Sequence, residues 1–326
     1  MKSNKGKIFW FYWERFGILG ILTLTLLVFS ILTPNILAVG NLLTVLCRSA
    51  IVAIPAMGMT FAICSGGFDL SVGSVVGLST CAWAATLPVF GIVPATLFTM
   101  AVGALCGVFN GLAITKLKIA TFVATLSTSI IVQSIALVVT DGSKQMISRT
   151  DNPEAKFFSQ NYTLFGQSNQ FMQLLLMVFV YVAGYLLYRY TRFGVYTRSV
   201  GSHQPSARTS GLPVDRTLII VFVLTGVTAS ISAIITSSQL MQGAATLGVG
   251  FELDVITAVI LGGTSLLGGQ GNIPGSMIAA IMLALTRNGL VLLNRPEEDQ
   301  RLAIGFILLF ALAVNGVREL LKEAQE

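Results

Sequence analysis

Long apolar runs alternate with short polar breaks from one end of the chain to the other. The runs fall near residues 16–32, 42–64, 72–90, 92–114, 119–140, 170–190, 218–239, 253–267, 274–293 and 302–317. Most approach the roughly 20 residues that a helix needs to cross a bilayer. Hydrocarbon admits only helices or closed barrels as spanning structures. The pattern therefore predicts an all-α, polytopic integral membrane protein of about ten transmembrane helices, organised as one transmembrane domain over residues 1–326. The runs at 72–90 and 253–267 are interrupted or short. A cleaved leader is the rival reading of the first run, with Ala38-Val39-Gly40 as a small-x-small site. More spans follow at once, which favours an uncleaved first helix.

Composition strengthens this reading. Hydrophobic residues make up 54% of the chain and charged residues only 10%, against roughly 25% charged in a soluble domain. That is too little charge for a water-covered surface, and too apolar for a disordered chain or a collagen-like fibre. The net charge of +6 does not point to nucleic acid, because the cations cluster between apolar runs, where they set orientation. With the N-terminus inside, the cytoplasmic segments take Lys2, Lys5, Lys7, Arg15, Lys116, Lys118, Arg189, Arg192, Arg198, Arg208, Arg216, Arg318 and Lys322. Acids gather opposite, at Asp141, Asp151, Glu154, Glu252, Asp254, Glu297, Glu298 and Asp299. The expectation is N-in and C-in, with a polar extracytoplasmic loop at 141–169 and a basic cytoplasmic loop at 191–217. Cys47, Cys64, Cys81 and Cys106 lie in apolar segments without paired-ligand spacing, and His203 is the one histidine. No metal site and no catalytic constellation is expected.

Three stretches carry chemistry. In the first, a run ends in Ser65-Gly66-Gly67-Phe68-Asp69-Leu70-Ser71 before the next begins. Gly-Gly frees backbone groups that neighbours or water must satisfy, so such breaks belong where a cavity is lined. Asp69 is either the cap of the following helix, accepting amides near Ser71 and Val72, or an intramembrane acid that meets the cargo. The second stretch runs from Gly248 to Gly271. Glu252 and Asp254 stand where a helix N-terminus favours negative charge, or where a soluble partner docks. At i and i+2 they do not share a helix face, which argues against an acid–base pair. Leu267-Gly268-Gly269-Gln270-Gly271 resembles the signature of ABC ATPases, yet the chain has no G-x-x-x-x-G-K-[ST] phosphate loop, so it is not expected to bind ATP. A weak echo links 63–71 with 260–266, both running apolar into Gly-Gly and then polar. In the third stretch, Gln204 to Ser210 predicts a short helix with Pro205 at its first position and Gly211 as its stop. It is either a handle for a partner or an ordinary orientation loop.

These residues resemble the permease subunits of bacterial ABC sugar importers, the family of ribose, xylose, arabinose and galactose permeases. The resemblance rests on residues 57–74 and 250–271, the 191–212 loop, Asn110-Gly111 and the tail Gly305-Phe306-Ile307-Leu308, and so covers nearly the whole chain. It implies a type II-like ABC importer permease in the bacterial inner membrane. By the same resemblance, two permease chains, identical or related, form one pathway for a monosaccharide delivered by a periplasmic sugar-binding protein. A cytoplasmic ATPase uses ATP and Mg, and this chain binds no cofactor. Gln204, Pro205, Ser206, Ala207, Arg208, Ser210 and Gly211 would be the coupling segment seated in that ATPase. Ser65, Gly66, Gly67, Asp69, Ser71, Glu252, Asp254, Gly262 and Gly263 fall in the family motifs. A sugar pathway needs hydroxyl partners, and Asn110, Gln133, Ser237, Ser238 and Gln239 are candidates. Ala120, Ser202-His203 and Arg287 depart from the family pattern; Arg287, a pathway candidate, either bears on substrate choice or, the favoured reading, snorkels outward from its span. The alternatives are the same importer with a signalling furanone, a nucleoside or a branched-chain amino acid as cargo, and an ion-coupled secondary transporter. The last would need an ionisable relay richer than Asp69 and Arg287.

Overall fold

Apolar runs without internal polar partners bond their backbones locally, and all ten runs fold as helix. The computed structural model describes residues 3–164 and 167–323; Lys2, counted among the inside cations, lies outside the described residues. The helices are α1 (Ser3–Leu32), α2 (Val39–Cys64), α3 (Val72–Phe90), α4 (Ile92–Thr115), α5 (Thr121–Val139), α6 (Phe171–Tyr190), α7 (Arg192–Ser202), α8 (Gln204–Thr209), α9 (Val214–Leu240), α10 (Phe251–Leu261), α11 (Ile273–Leu292) and α12 (Glu297–Glu323). Among the described residues, seven are long and apolar enough to cross a membrane: α2, α3, α4, α5, α6, α9 and α11. Gly17–Leu32 of α1 adds a shorter apolar stretch.

The expected span at 253–267 is corrected. With 11 residues, α10 is only about 16 Å long, half of the roughly 30 Å hydrocarbon core. Ten is the number of apolar runs, not of complete crossings. The 191–217 segment is also more ordered than a loop, being mostly α7, α8 and the start of α9. At the opposite end, 141–169 carries a two-residue strand β1 (Gln145–Met146) paired antiparallel with β4 (Gln242–Gly243), and a small hairpin of β2 (Tyr162–Leu164) and β3 (Gln167–Asn169).

The centre of the bundle is held by backbone contact over small residues. Gly103, Gly107 and Gly111 recur every four positions on α4 and face α9. A Cβ on Gly103 would overlap the carbonyl of Gly226; one on Gly107 would overlap that of Phe222. Lipid offers helices no hydrophobic reason to associate, so close packing of small residues does that work. On α3, Gly73 and Gly77 do the same for an irregular stretch. The chain leaves α9 at Met241 and returns along α3, with Gly248 against Gly73, Ala245 against Gly77 and Gly243 against Thr80. The Thr80 hydroxyl donates to Gly77 O at 2.7 Å within its own helix and accepts the Ala244 amide at 3.2 Å. That side chain satisfies the amide of a residue outside any helix, as burial in hydrocarbon demands. Residues 242–250 thus re-enter the bundle, and α10 starts inside it.

The α4–α9 crossing gives a direct test. Gly107→Val forces a branched side chain into the Phe222 backbone, and overpacking of this kind costs about 1–3 kcal/mol or more. We expect a lower thermal midpoint and loss of monodisperse protein on size exclusion. Gly20→Val, at a glycine with nothing within 4 Å, should match the parent; equal behaviour of the two variants would refute the packing role.

Candidate functional site

The basic end of the bundle is built from two short helices. Thr191 caps α7, its hydroxyl accepting the Gly194 amide at 3.5 Å. His203 caps α8: Nδ1 accepts the Ser206 amide at 3.2 Å, so the imidazole satisfies an orphan donor. Pro205 lies in the first turn of α8, one position after Gln204 rather than at the first position that the sequence predicts. Gly211 closes it at φ 75°, with its amide donating to Arg208 O and the Leu212 amide to Ala207 O. This paired return is the Schellman stop. Of the seven residues assigned to this segment, Ala207 alone is buried, packed with Val200, Val214 and Leu218. Gln204, Pro205, Ser206, Arg208, Ser210 and Gly211 are exposed. Arg208 bridges Asp215 at 2.6 Å, and Lys116 approaches the same carboxylate at 3.6 Å.

Where α7 meets the bundle, four segments converge. A Cβ on Gly201 would overlap the Cys64 carbonyl at the end of α2 and press on the amide of Gly269. That amide donates to the same Cys64 carbonyl at 2.8 Å. Tyr188, near the end of α6, accepts the Gly271 amide on its phenol oxygen at 2.8 Å and lies 3.5 Å from Cys64 Sγ. Arg198 of α7 donates to the Tyr188 carbonyl at 3.0 Å, with its guanidinium 4.8 Å from the ring centroid. The helix preceding α8 is therefore locked to the ends of α2 and α6 and to the loop that follows α10.

The echo between 63–71 and 260–266 has a physical cause. Both are Schellman stops: Gly66 and Gly263 take φ of 87° and 89°. In each, the glycine amide reaches back three residues and the next amide reaches back five. Only glycine enters this region at no cost. Gly67 and Gly262 play a different part, seated against Thr121 and the Gly275–Ser276 backbone respectively. Beyond the first stop, Asp69 is 2% exposed. It accepts the amide and hydroxyl of Ser71, the hydroxyl of Thr225 on α9 and, at 3.4 Å, the amide of Asn110 on α4. Asn110 donates also to Ser71 at 2.8 Å. Asp69 is thus more than a cap for one helix; it ties α3, α4 and α9 together. Ser65 turns inward, donating to Ala62 O at 2.8 Å.

Toward the 141–169 end two cavities of about 460 and 270 Å³ share Asp254, Arg287 and Gln300, and a third of about 210 Å³, lined by Asn161, Ser168 and Asn169, shares Arg48 with the smaller. Arg287 does not snorkel. It turns toward α10 and donates to Asp254 at 2.6 Å, because α10 starts inside the bundle and offers it a carboxylate. Glu252 stands beside Gly73 in the first turn of α3, so both acids are half-buried inside the bundle. Gln239 lines the smaller cavity and donates to Gln170 and Gln173 at 3.2 and 3.0 Å. Ser237 and Ser238 are elsewhere engaged, donating to the carbonyls of Gln242 and Ala155. Gln133 is half-buried on α5, apart from these cavities. Arg48, Asn288 and Gln300 also line the smaller cavity and are absent from the sequence-based candidates. An arginine within an apolar run was their one available signal.

Comparison with known proteins now fits this geometry. Residues 41–312 match the family model described as the branched-chain amino acid transport system / permease component. The ribose import permease protein RbsC of Escherichia coli K12 is 33% identical over 313 residues, covering 94% of each chain. RbsC of Bacillus subtilis 168 is 36% identical over 299 residues, 91% of each. The L-arabinose transport system permease protein AraH of Escherichia coli K12 is 33% identical over 312 residues, 94% of this chain and 92% of the other. A solved inward-facing ABC transporter structure, described as of the metal-chelate type, superposes with a TM-score of 0.51 at 14% identity and covers 93% of this chain and 98% of the other. It speaks for the fold alone. The chain is a multi-pass inner-membrane protein, and it belongs to the branched-chain amino acid transport system permease component family.

Proposed function

We propose that the chain is a membrane-spanning subunit of an ATP-driven importer that carries a monosaccharide inward. The observation that carries this reading is end-to-end similarity to permeases named for ribose and L-arabinose. In this reading the 191–217 end is cytoplasmic and receives an ABC ATPase, and the 141–169 end receives a periplasmic sugar-binding protein. A second permease chain, identical or related, completes the pathway within the lipid. The chain itself binds no cofactor or metal; ATP and Mg belong to the ATPase.

The coupling argument is mechanical. α8 offers five exposed residues around one buried anchor, Ala207, a surface suited to a socket. Motion of α8 passes to α7, and from Gly201, Arg198 and Tyr188 to the ends of α2 and α6 and the loop after α10. Residues 65–71, with Asp69 as their anchor, and residues 242–250 are the irregular segments beside that pathway. Import follows when ATP and loaded binding protein favour different states of the bundle. A branched-chain amino acid is the second cargo reading, favoured by the family description itself.

Three outcomes test the reading. Proteoliposomes holding the chain, its ATPase and its binding protein should accumulate radiolabelled D-ribose or L-arabinose only with ATP inside; accumulation by the chain alone would overturn it, and L-leucine uptake would select the second cargo. Gly211→Val places a β-branched residue at φ 75° with open space around it, so the damage is confined to the α8 stop. Sugar uptake per ATP hydrolysed should fall while membrane insertion persists. Tyr188→Phe removes one phenol oxygen at the four-segment junction, and coupling contacts of this kind are worth about 0.5–2 kcal/mol. We expect uptake down several-fold with complex yield and basal ATPase retained; unchanged uptake would remove this junction from the coupling route.

A further inference from the structure

The two larger cavities at the 141–169 end are unusual in what they present. Their shared charges, Asp254 and Arg287, already satisfy one another at 2.6 Å, and Asp254 keeps only 14% side-chain exposure. Neither offers a bare charge. Around the pair in the smaller cavity stand three carboxamides, Gln239 from α9, Asn288 from α11 and Gln300 from α12. A carboxamide both donates and accepts, and a paired guanidinium and carboxylate keep spare N–H groups and lone pairs. The smaller cavity measures about 270 Å³, just under the roughly 300–1,000 Å³ of small-molecule sites, and shares Asp254, Arg287 and Gln300 with the larger one of about 460 Å³.

We infer that Asp254 and Arg287, with Gln239, Asn288 and Gln300, form a low-affinity subsite for a neutral polyhydroxylated solute, the first polar group of the permease itself that the sugar meets. This rests on the sugar reading above and adds the place and the groups. A hydroxyl-rich ring can take bonds from the edges of the pair and from the carboxamides without separating the charges. A zwitterionic amino acid can give its carboxylate to Arg48, which also lines the smaller cavity, but its ammonium finds only Asp254 there, already held by Arg287. Drawing Asp254 away from Arg287 gives up a 2.6 Å pair whose carboxylate is mostly buried, which is costly; the neutral ligand avoids that cost. The pair also joins α10, at the end of the re-entrant segment, to α11. A sugar lying across it touches both, so occupancy and helix position are linked.

The test uses the full chain in nanodiscs carrying Val291→Cys, a half-exposed residue on the wall of the smaller cavity. Labelling by a membrane-impermeant maleimide is timed, and the parent chain with its four native cysteines is labelled in parallel and subtracted. The sugar that the complete transporter takes up, D-ribose or L-arabinose, should slow labelling several-fold in a saturable way, with betaine at equal concentration as the osmotic control. Asp254→Asn combined with Arg287→Gln removes the pair without leaving either charge alone. This double variant should assemble and lose the protection; the single Arg287→Gln, which strands the aspartate, should assemble less well. Unslowed labelling by a sugar that is transported overturns the subsite and leaves the sugar reading standing. Protection that survives the double variant also overturns it. Protection by L-leucine and not by sugar overturns both.

Discussion

Wherever this bundle departs from helix, the exposed backbone has protein within reach, and small residues provide the reach. In hydrocarbon an unpaired amide or carbonyl has no water to turn to. A chain that breaks its helices at 65–71, 242–250 and 262–272 must therefore seat each break against another backbone. Gly73 and Gly77 let the re-entrant stretch lie directly on α3, and the Thr80 hydroxyl accepts the Ala244 amide. Gly201 lets α7 touch the carbonyl that ends α2, beside the Gly269 amide that bonds to it. The Gly103–Gly107–Gly111 stripe brings α4 to the α9 backbone in the same way. The glycine content of the sequence, 32 residues, is what makes an interrupted bundle possible at all.

The same constraint fixes where charge can sit. Asp69 is buried with no cation beside it, yet four neutral donors converge on it from three elements. Charge-assisted hydrogen bonds are the stronger kind, so the carboxylate gathers α3, α4 and α9 more firmly than a neutral side chain would. Asp254 is handled differently. It stands at the start of a helix that begins inside the bundle, and Arg287 neutralises it beside a cavity. One acid is sealed by hydroxyls and an amide, the other is paired and stays in contact with open space. Only the second arrangement leaves spare N–H groups and lone pairs facing open space.

Much of this was legible in the order of residues. The apolar runs place every long helix, and Pro205 and Gly211 bracket α8 because proline and glycine carry fixed backbone preferences. The two Gly-Gly motifs identify the breaks. What escaped was set by tertiary contact. The half-length of α10 depends on the chain re-entering along α3, and no local signal separates a half-buried short helix from a span of the same apolarity. The turn of Arg287 toward α10 has the same origin: snorkelling is the default for an arginine near a helix end only if no acid lies within the bundle. α7 was read as loop because its polar residues hide a helix whose buried face, Gly194, Thr197 and Val200, is small and weakly apolar. The every-fourth-residue glycines on α4 were visible as a pattern, but their partner on α9 was not. The candidate site divided likewise: Gln239, Asp254 and Arg287 come together, whereas Ser237 turns to the Gln242 carbonyl, Ser238 to the 141–169 segment, and Gln133 stands apart.

A conduit of this kind has to be stiff along some lines and yielding along others. The α4–α9 crossing, packed backbone to backbone with Asp69 at its edge, has no slack, because small-residue contacts cannot slide without collision. The junction around Gly201 and Tyr188 is as close, but it joins separate elements through single hydrogen bonds and one stacked arginine. Such contacts exchange partners at lower cost than a packed crossing. In the coupling proposed above, a displacement of α8 would pass through the junction rather than into the core, and the elements packed there are those that border the breaks. The half-helix α10 is the element best placed to respond, since its first turn holds the Asp254–Arg287 pair and its last turn leads into the loop clamped by Cys64 and Gly201. A displacement entering at the basic end can thus reach the polar cavities at the other through 11 residues of helix, with the rigid crossing as the frame against which they move.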